Sequence, residues 1–386
     1  MRIFITSHSS RVGGGVSVAR NLLAAFGRVG GDHDYCVTAP AGLGYDDACA
    51  SIPRATLLKI EACGLPRRWC WETYTLPRLV SEFQPDVIFN MANRGLIRPR
   101  APQATLIQNP HLFYPPRQFG KLAPPARLLI RYHRHHLARS LTYTGTVFCQ
   151  TRVARERLRQ AYGNRIKRIV ICPNQVSEYC GGHAQTGDVP DAIRPYTDAF
   201  KLFVLTRYYP HKNLESIPRL FRAHPRELEG VTAFLTIGPD EGRRANALLG
   251  EMAKPDLAGR AVNLGRLPQA ELPRYYHHTD ALFLPTLLES FSGTYVEAMS
   301  YDKPILTSDM DFAREVCGDR ARYFDPLDMQ SMCKAILALR EEQGRAAAWY
   351  RGPEPVGAGR PSWDEIAGGV LQELERLAQA RPGRIA

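Results

Sequence analysis

Short apolar runs alternate with stretches of helical spacing, and the alternation occurs twice along the chain. No other feature constrains the fold as strongly. In the first half, Arg2–Thr6, Tyr35–Thr38, Asp86–Asn90, Ala104–Gln108, Thr146–Gln150 and Arg168–Cys172 read as strands. Val16–Phe26, the stretch around Leu76–Phe83, Ala126–Leu141 and Val153–Tyr162 carry helical spacing between them. In the second half, Leu202–Thr206, Ala233–Ile237, Ala261–Leu264, Ala281–Pro285, Pro304–Thr307 and Ala321–Phe324 read as strands. Strands alternating with helices form parallel sheets covered on both faces. Two such series predict an α/β chain of two doubly wound, Rossmann-like domains. Its 386 residues suit that number at ~150 residues per domain. The expected boundaries are 1–176, a linker over 177–199 containing Gly181-Gly182, 200–362, and a last helix and tail over 363–386. Gly352–Arg360 reads as a loop before the amphipathic stretch Trp363–Leu377.

Open parallel sheets bind ligands beyond the carboxyl ends of their strands. With two such domains, a site is expected in a cleft between them, so polar residues just after strands are the informative ones. One segment of this kind runs from Leu284 to Met299. A strand ends near Pro285, a loop rich in small residues follows, and a helix opens near Gly293. Backbone amides at such a helix start favour an anion, and small residues let it approach. Glu289 and Glu297 flank the turn. A carboxylate does not favourably face a phosphate, so both are expected to accept from sugar hydroxyls. The competing structural reading makes Glu297 a helix-favouring residue near the positive end of the dipole. A second segment is Arg207-Tyr208-Tyr209-Pro210-His211-Lys212-Asn213, where Asn213 is placed to cap the next helix. Two cations beside a helix start suit a bound diphosphate, Arg207 as a fork and Lys212 as a point charge; the alternative is two solvated cations. A third is Arg11-Val12-Gly13-Gly14-Gly15, a close-approach loop that is not a Gly-x-Gly-x-x-Gly fingerprint.

Glu289 and Glu297 form a Glu-x7-Glu motif. With Arg207-x4-Lys212 and Gly14-Gly15, it resembles the retaining nucleotide-sugar glycosyltransferases of family 4, which have the GT-B fold. Leu264–Pro326 resembles that family nearly throughout, as do Ile171-Cys172-Pro173-Asn174 and the Trp363 helix. In the first half only the Gly loop and the strand pattern match well. The resemblance implies that Arg207 and Lys212 hold the donor diphosphate and stabilise its departure. It implies that Glu297 binds ribose hydroxyls, Glu289 holds hydroxyls of the transferred sugar, and amides around Ser292, Gly293 and Thr294 touch sugar and phosphate. Leu267 would lie near the base. Gly14-Gly15 would approach the diphosphate from the other domain, and His111, after the strand Ala104–Gln108, would lie near the sugar's C6 hydroxyl. It further implies a UDP- or GDP-type donor, no metal or other cofactor, a glycan or lipid-diphosphate-linked acceptor, and a C-terminal helix that crosses back to the first domain. The family's usual Glu-Gly-Phe-Gly loop is Glu289-Ser290-Phe291-Ser292 here.

Charge adds a second theme. Residues 1–176 hold 25 Lys/Arg against 9 Asp/Glu, and residues 177–386 hold 25 against 29. From Val87 to Arg155 there are eleven Lys/Arg and no acidic residue. Such a field attracts nucleic acid, an anionic membrane or a phosphorylated substrate. Arg127, Arg131 and Arg134 share one helix face, while Ala126, Leu129, Ile130 and Leu137 tend to another, which suggests an anionic membrane surface. No helix-turn-helix, zinc or RNP-type motif supports nucleic acid. Asp309-Met310-Asp311 and the His133, His135, His136 group are read as non-metal features. No apolar run approaches the ~20 residues of a membrane span. The N-terminus does not read as a signal peptide, and nine cysteines without Cys-x-x-Cys fit reduced thiols. The expected place is therefore the cytoplasm, or the inner face of its membrane. Competing readings are a nucleotide-sugar epimerase or hydrolase of the same fold, an inactive sugar-nucleotide sensor, and a basic-surface binding protein.

Overall fold

The computed structural model describes residues 1–11, 13–61, 64–118, 122–175, 187–343 and 361–380. Gly181-Gly182 and Gly352–Arg360, read above as linker and loop, lie outside them. The chain divides into two units. Unit 1 comprises Met1–Tyr114, Ala123–Gln175 and Arg360–Ala386; unit 2 comprises Pro115–Leu122 and Val176–Gly359.

Unit 1 is built on seven parallel strands: β1 Arg2–Thr6, β2 Asp34–Pro40, β3 Ala55–Ile60, β4 Val87–Asn90, β5 Gln103–Leu106, β6 Thr144–Cys149 and β7 Ile169–Ile171. Their order is β3-β2-β1-β4-β5-β6-β7. Six were legible as apolar runs. β3 was not, because it is an edge strand whose side chains are half-buried or exposed, so its apolar pattern is diluted. The helices are α1 Gly14–Val29, α2 Tyr45–Ala50, α3 Leu65–Cys70, α4 Leu76–Phe83, α5 Pro124–Leu141 and α6 Arg152–Tyr162. A π-helical turn, Trp71–Thr75, joins α3 to α4. Both faces of the sheet are covered. Ile3 and Ile5 of β1 enter a core with α1, whereas Phe4 between them enters another with Leu76 and Val80 of α4. The period of two along a strand thus feeds two layers.

Unit 2 has six parallel strands: β8 Phe200–Val204, β9 Val231–Leu235, β10 Ala261–Asn263, β11 Ala281–Leu284, β12 Ile305–Ser308 and β13 Ala321–Phe324, in the order β10-β9-β8-β11-β12-β13. Its helices are α7 Ser216–Ala223, α8 Arg243–Met252, α9 Leu272–His278, α10 Gly293–Ser300, α11 Asp311–Cys317 and α12 Met329–Gln343. Leu202 and Val204 pack with Ile217 and Phe221 of α7 and Ile336 of α12. On the other face, Phe203 meets Tyr276 of α9 edge-on at 5.2 Å.

The last helix, α13 Trp363–Gln379, belongs to unit 1. Ser362 and Glu365 form a reciprocal capping box at its start. Trp363, Ile366, Val370, Leu374 and Leu377 recur at helical spacing and enter the same core as Ile3 and Ile5. Leu377 lies so close to β6 that a Cβ at Gly145 would come within 2.5 Å of it. Buried Glu373 accepts from Thr146 Oγ1 at 2.5 Å and from Arg168 at 2.9 Å, tying the helix to β6 and to the residue before β7. Among the described residues, no helix is long and apolar enough to cross a membrane.

Candidate functional site

In unit 2 the chain builds outward from β8 to β10, then returns to start β11 beside β8. A crevice opens where the strand order reverses. The two polar segments singled out above follow these two strands. Arg207 lies beyond β8, and a 3₁₀ turn over Pro210–Lys212 follows. The loop after β11 is laced to that turn: Leu287 N donates to His211 O at 2.7 Å, and Thr286 Oγ1 donates to the same carbonyl at 3.3 Å. This brings Lys212 and Glu289 into a direct ion pair, both side chains nearly buried.

Arg207 also has an internal carboxylate. Its Nε lies 3.2 Å from Glu241 Oε1, and the Glu241 side chain is 2% exposed. The other Glu241 oxygen accepts from Tyr208 N at 2.6 Å, and Arg266 Nε lies 3.6 Å from Oε1. Sequence reasoning passed over Glu241, although it stands in the loop after β9, where a search of strand ends would find it. Each of the two cations thus has a carboxylate of its own beside it, which sets aside the reading of two solvated cations. The expected role of Asn213 is corrected. It adopts φ 55° and donates its amide to Pro326 O at 2.8 Å rather than capping α7, which starts three residues later.

α10 opens at Gly293, after Ser292 in extended backbone. Ser292 makes no side-chain cap, so its hydroxyl leaves the first amides of α10 to other acceptors. A Cβ added at Gly293 would meet nothing nearer than Glu297 Oε1 at 4.0 Å, so the helix start is open. Thr294 is half-buried. Glu297, in the second turn and partly buried, accepts from Tyr276 OH at 3.2 Å. Burial raises its carboxyl above the usual range, and the Tyr276 bond only partly offsets this. Leu267 lies beyond β10, half-buried.

In unit 1 the strand order reverses between β1 and β4. Gly14 and Gly15 form the first turn of α1, and a Cβ at Gly14 would meet nothing within 4 Å. Gly13 before them has φ 62°, which favours glycine. His111 sits in a 3₁₀ turn after β5, with Nδ1 3.2 Å from Asn109 Oδ1. Desolvation, then the nearby Arg134 charge, lower its pKa to about 4, so the ring is neutral at pH 7.

Beyond β1 and β4 lies a cavity of about 410 Å³, lined among others by Thr6, His8, Trp69, Glu72, Arg94 and Tyr132. Glu72, on the π-helical turn, is its electrostatic centre. It accepts from Arg94 Nη2 through both oxygens, at 2.6 and 2.5 Å, and from Arg68 at 2.9 Å, with His8 Nε2 at 3.2 Å. Burial alone would raise its pKa, but the bond to His8 and the Arg94 and Arg68 charges hold it well below the carboxylate range. Arg94 Nη1 lies 2.8 Å from His133 Nδ1. Desolvation, then the Arg94 charge, lower His133 and His136 to about 4. Neither Glu72 nor Arg94 carries a spacing signal in the sequence, because they meet only in three dimensions. Among the described residues, no group of three or more His, Cys, Asp or Glu is placed to hold a metal ion. Asp309 is engaged by Arg314 at 2.7 and 2.9 Å, and Asp311 accepts from Phe312 N.

The chain is similar to known proteins. The family model described as Glycosyl transferases group 1 matches residues 188–352, and that described as Glycosyltransferase Family 4 matches residues 12–178. The chain is 26% identical over 144 residues to the O-antigen chain mannosyltransferase B of Escherichia coli, covering 37% of this chain and 38% of that protein. It is 26% identical over 187 residues to the glycogen synthase of Mycobacterium tuberculosis, covering 47% of this chain and 44% of that one. The matched stretches thus span less than half of these relatives' lengths. Among solved structures, Anabaena HepE in complex with UDP and glucose superposes with a TM-score of 0.73 at 16% identity, covering 97% of this chain and 99% of that chain. Sucrose-phosphate synthase from Thermosynechococcus elongatus gives 0.72 at 15%, covering 98% and 100%.

Proposed function

Because the chain belongs to the family of glycosyl transferases group 1 and has the GT-B fold, we propose that it is a retaining hexosyltransferase. It moves the sugar of a UDP- or GDP-type donor to a glycan or lipid-diphosphate-linked acceptor, in polysaccharide or glycolipid assembly. The observation that carries this reading is the convergence, at the β8/β11 switch, of two cations and two carboxylates beside the open start of α10.

Cleavage of the bond between the anomeric carbon and the phosphate oxygen leaves negative charge on the departing diphosphate. Arg207 and Lys212, with the first amides of α10 around Ser292, Gly293 and Thr294, supply fixed positive charge there. Those two side chains carry the counter-charge that a metal supplies elsewhere, so the reaction needs no metal or other cofactor. The ribose hydroxyls donate to Glu297, hydroxyls of the transferred sugar donate to Glu289, and Leu267 borders the base. The acceptor hydroxyl attacks from the face the diphosphate leaves, its proton passes to the leaving phosphate oxygen, and the new glycosidic bond keeps the original configuration. The open α1 start at Gly14 and Gly15 suits an anionic group. Neutral His111 can hydrogen-bond a sugar hydroxyl without adding charge. The work would take place at the cytoplasmic face of a membrane.

Thermal melting in EDTA with UDP, GDP, ADP and dTDP tests the reading. At about 100 times the dissociation constant, one nucleotide should stabilise the fold by ~2.7 kcal/mol, at ~2–4 °C per kcal/mol. Arg207→Ala and Lys212→Ala should abolish donor turnover with the fold intact. No shift with any nucleotide, or full turnover in both variants, would overturn the donor assignment.

A further inference from the structure

Large apolar side chains that remain exposed are clustered in this protein. Of the eight among the described residues, five stand on three elements of unit 1: α3, the π-helical turn after it, and α5. Trp69 lies in the last turn of α3 and Tyr74 in the π-helical turn, their rings edge-to-face at 6.3 Å. Leu128, Leu129 and Tyr132 lie on the first half of α5. Tyr74 is 67% and Leu128 68% exposed. Trp69 and Tyr132 both line the 410 Å³ cavity, so α3 and α5 border the same cavity. Exposed large apolar side chains gathered in this way mark a contact surface.

Charge says what covers it. Arg127 and Arg131 are exposed on α5 beside Leu128 and Tyr132, and Arg67 is exposed on α3 beside Trp69. Arg134, grouped with Arg127 and Arg131 on sequence, is half-buried instead and donates to Leu112 O and Tyr114 O at 3.1 and 2.7 Å. Leu129, assigned to the opposite face, is exposed. The nearby carboxylates are engaged, Glu72 by Arg94 and Arg68, Glu82 by Arg78. No acidic residue lies between Val87 and Arg155. Indole and phenol rings with leucine, flanked by arginines, match the head-group region of an anionic bilayer. A polyphosphate chain alone would leave Leu128 and Leu129 without a partner.

We propose that the surface formed by Trp69, Tyr74, Leu128 and Tyr132 seats unit 1 on an anionic lipid bilayer, with Arg127 and Arg131 meeting lipid phosphates. The cavity centred on Glu72 then opens beside the head groups. An acceptor borne on a lipid would present its polar part there without leaving the interface, a consequence that rests on the glycosyltransferase reading above.

The test is sedimentation of the full chain with vesicles of phosphatidylcholine alone, and of phosphatidylcholine and phosphatidylglycerol in equal parts, at low and high salt. The wild type should sediment with the anionic vesicles and be released by salt. Trp69→Ser, Leu128→Ser and Tyr132→Ser combined should reduce the bound fraction about tenfold or more. Arg127→Gln with Arg131→Gln should weaken binding and flatten its salt dependence. Melting curves check that each variant is folded. Quenching of wild-type fluorescence by brominated lipid, reduced in Trp69→Phe, reads the same contact without a disruptive change. The proposal fails if the wild type does not sediment with anionic vesicles, or if the folded triple variant sediments as well as the wild type. Sedimentation without vesicles would replace the bilayer with a second copy of the chain. The nucleotide shifts are measured without lipid, so loss of the donor reading and loss of the membrane reading are separate results.

Discussion

Replacing Glu297 with glutamine should move stability and binding in opposite directions. The side chain is partly buried in the second turn of α10, and Tyr276 OH donates to it at 3.2 Å. Burial raises its pKa above the ordinary carboxylate value. A carboxyl raised in the folded state stabilises the fold only while protonated. That stability is present below the unfolded pKa and is lost as pH rises through the folded one. At neutral pH the protein therefore carries a carboxylate at a cost. Glutamine keeps the shape and an oxygen for Tyr276 but removes the charge. The variant should be more stable by about 0.5–1 kcal/mol at pH 7, a melting increase of ~2–4 °C per kcal/mol. The gain should vanish in acid. Binding should go the other way. Hydrogen bonds to a charged acceptor contribute ~1.5–3 kcal/mol against ~0.5–1.5 kcal/mol for neutral ones. Two ribose hydroxyls then lose about 2 kcal/mol together, roughly thirtyfold in affinity. Calorimetric titration with the nucleotide that shifts the wild type, paired with melting from acid to neutral pH, reads both signs. A merely damaged variant would lose both stability and affinity. Unchanged affinity, or a lower melting temperature at pH 7, would refute the assignment of Glu297 to ribose at a stability cost.

Glu241→Gln should keep the bond from Tyr208 N yet release Arg207, lowering kcat/KM for donor turnover about tenfold to a hundredfold; an unchanged value would dismiss Glu241 as a positioning residue. Trp363→Ala should destabilise unit 1 by ~3–5 kcal/mol, since Trp363 is 4% exposed at the capped start of α13. Urea denaturation followed by circular dichroism measures this, and an unmoved first transition would mean that α13 is not part of that core.

The two parallel sheets were legible in the sequence because each buried strand is a short apolar run and each covering helix has its own period. Twelve runs located twelve of the thirteen strands, with ends displaced by at most two residues. The same periodicity located α13, and the motifs after β8 and β11 located Arg207, Lys212, Glu289 and Glu297. Tertiary structure decided what those residues touch. Lys212 and Glu289 pair because the loop after β11 is bonded to His211 O, and Arg207 is held by a carboxylate from the loop after β9. The Glu72–Arg94 centre joins residues 22 positions apart through a π-helical turn and the loop after β4. Arg134 shows the same limit from the other side: helical spacing put it with Arg127 and Arg131, but two carbonyls within reach drew it inward. Spacing along a chain fixes which face of its own element a residue occupies. Which partner meets that face depends on how the other elements pack, and that is set by the sheet order.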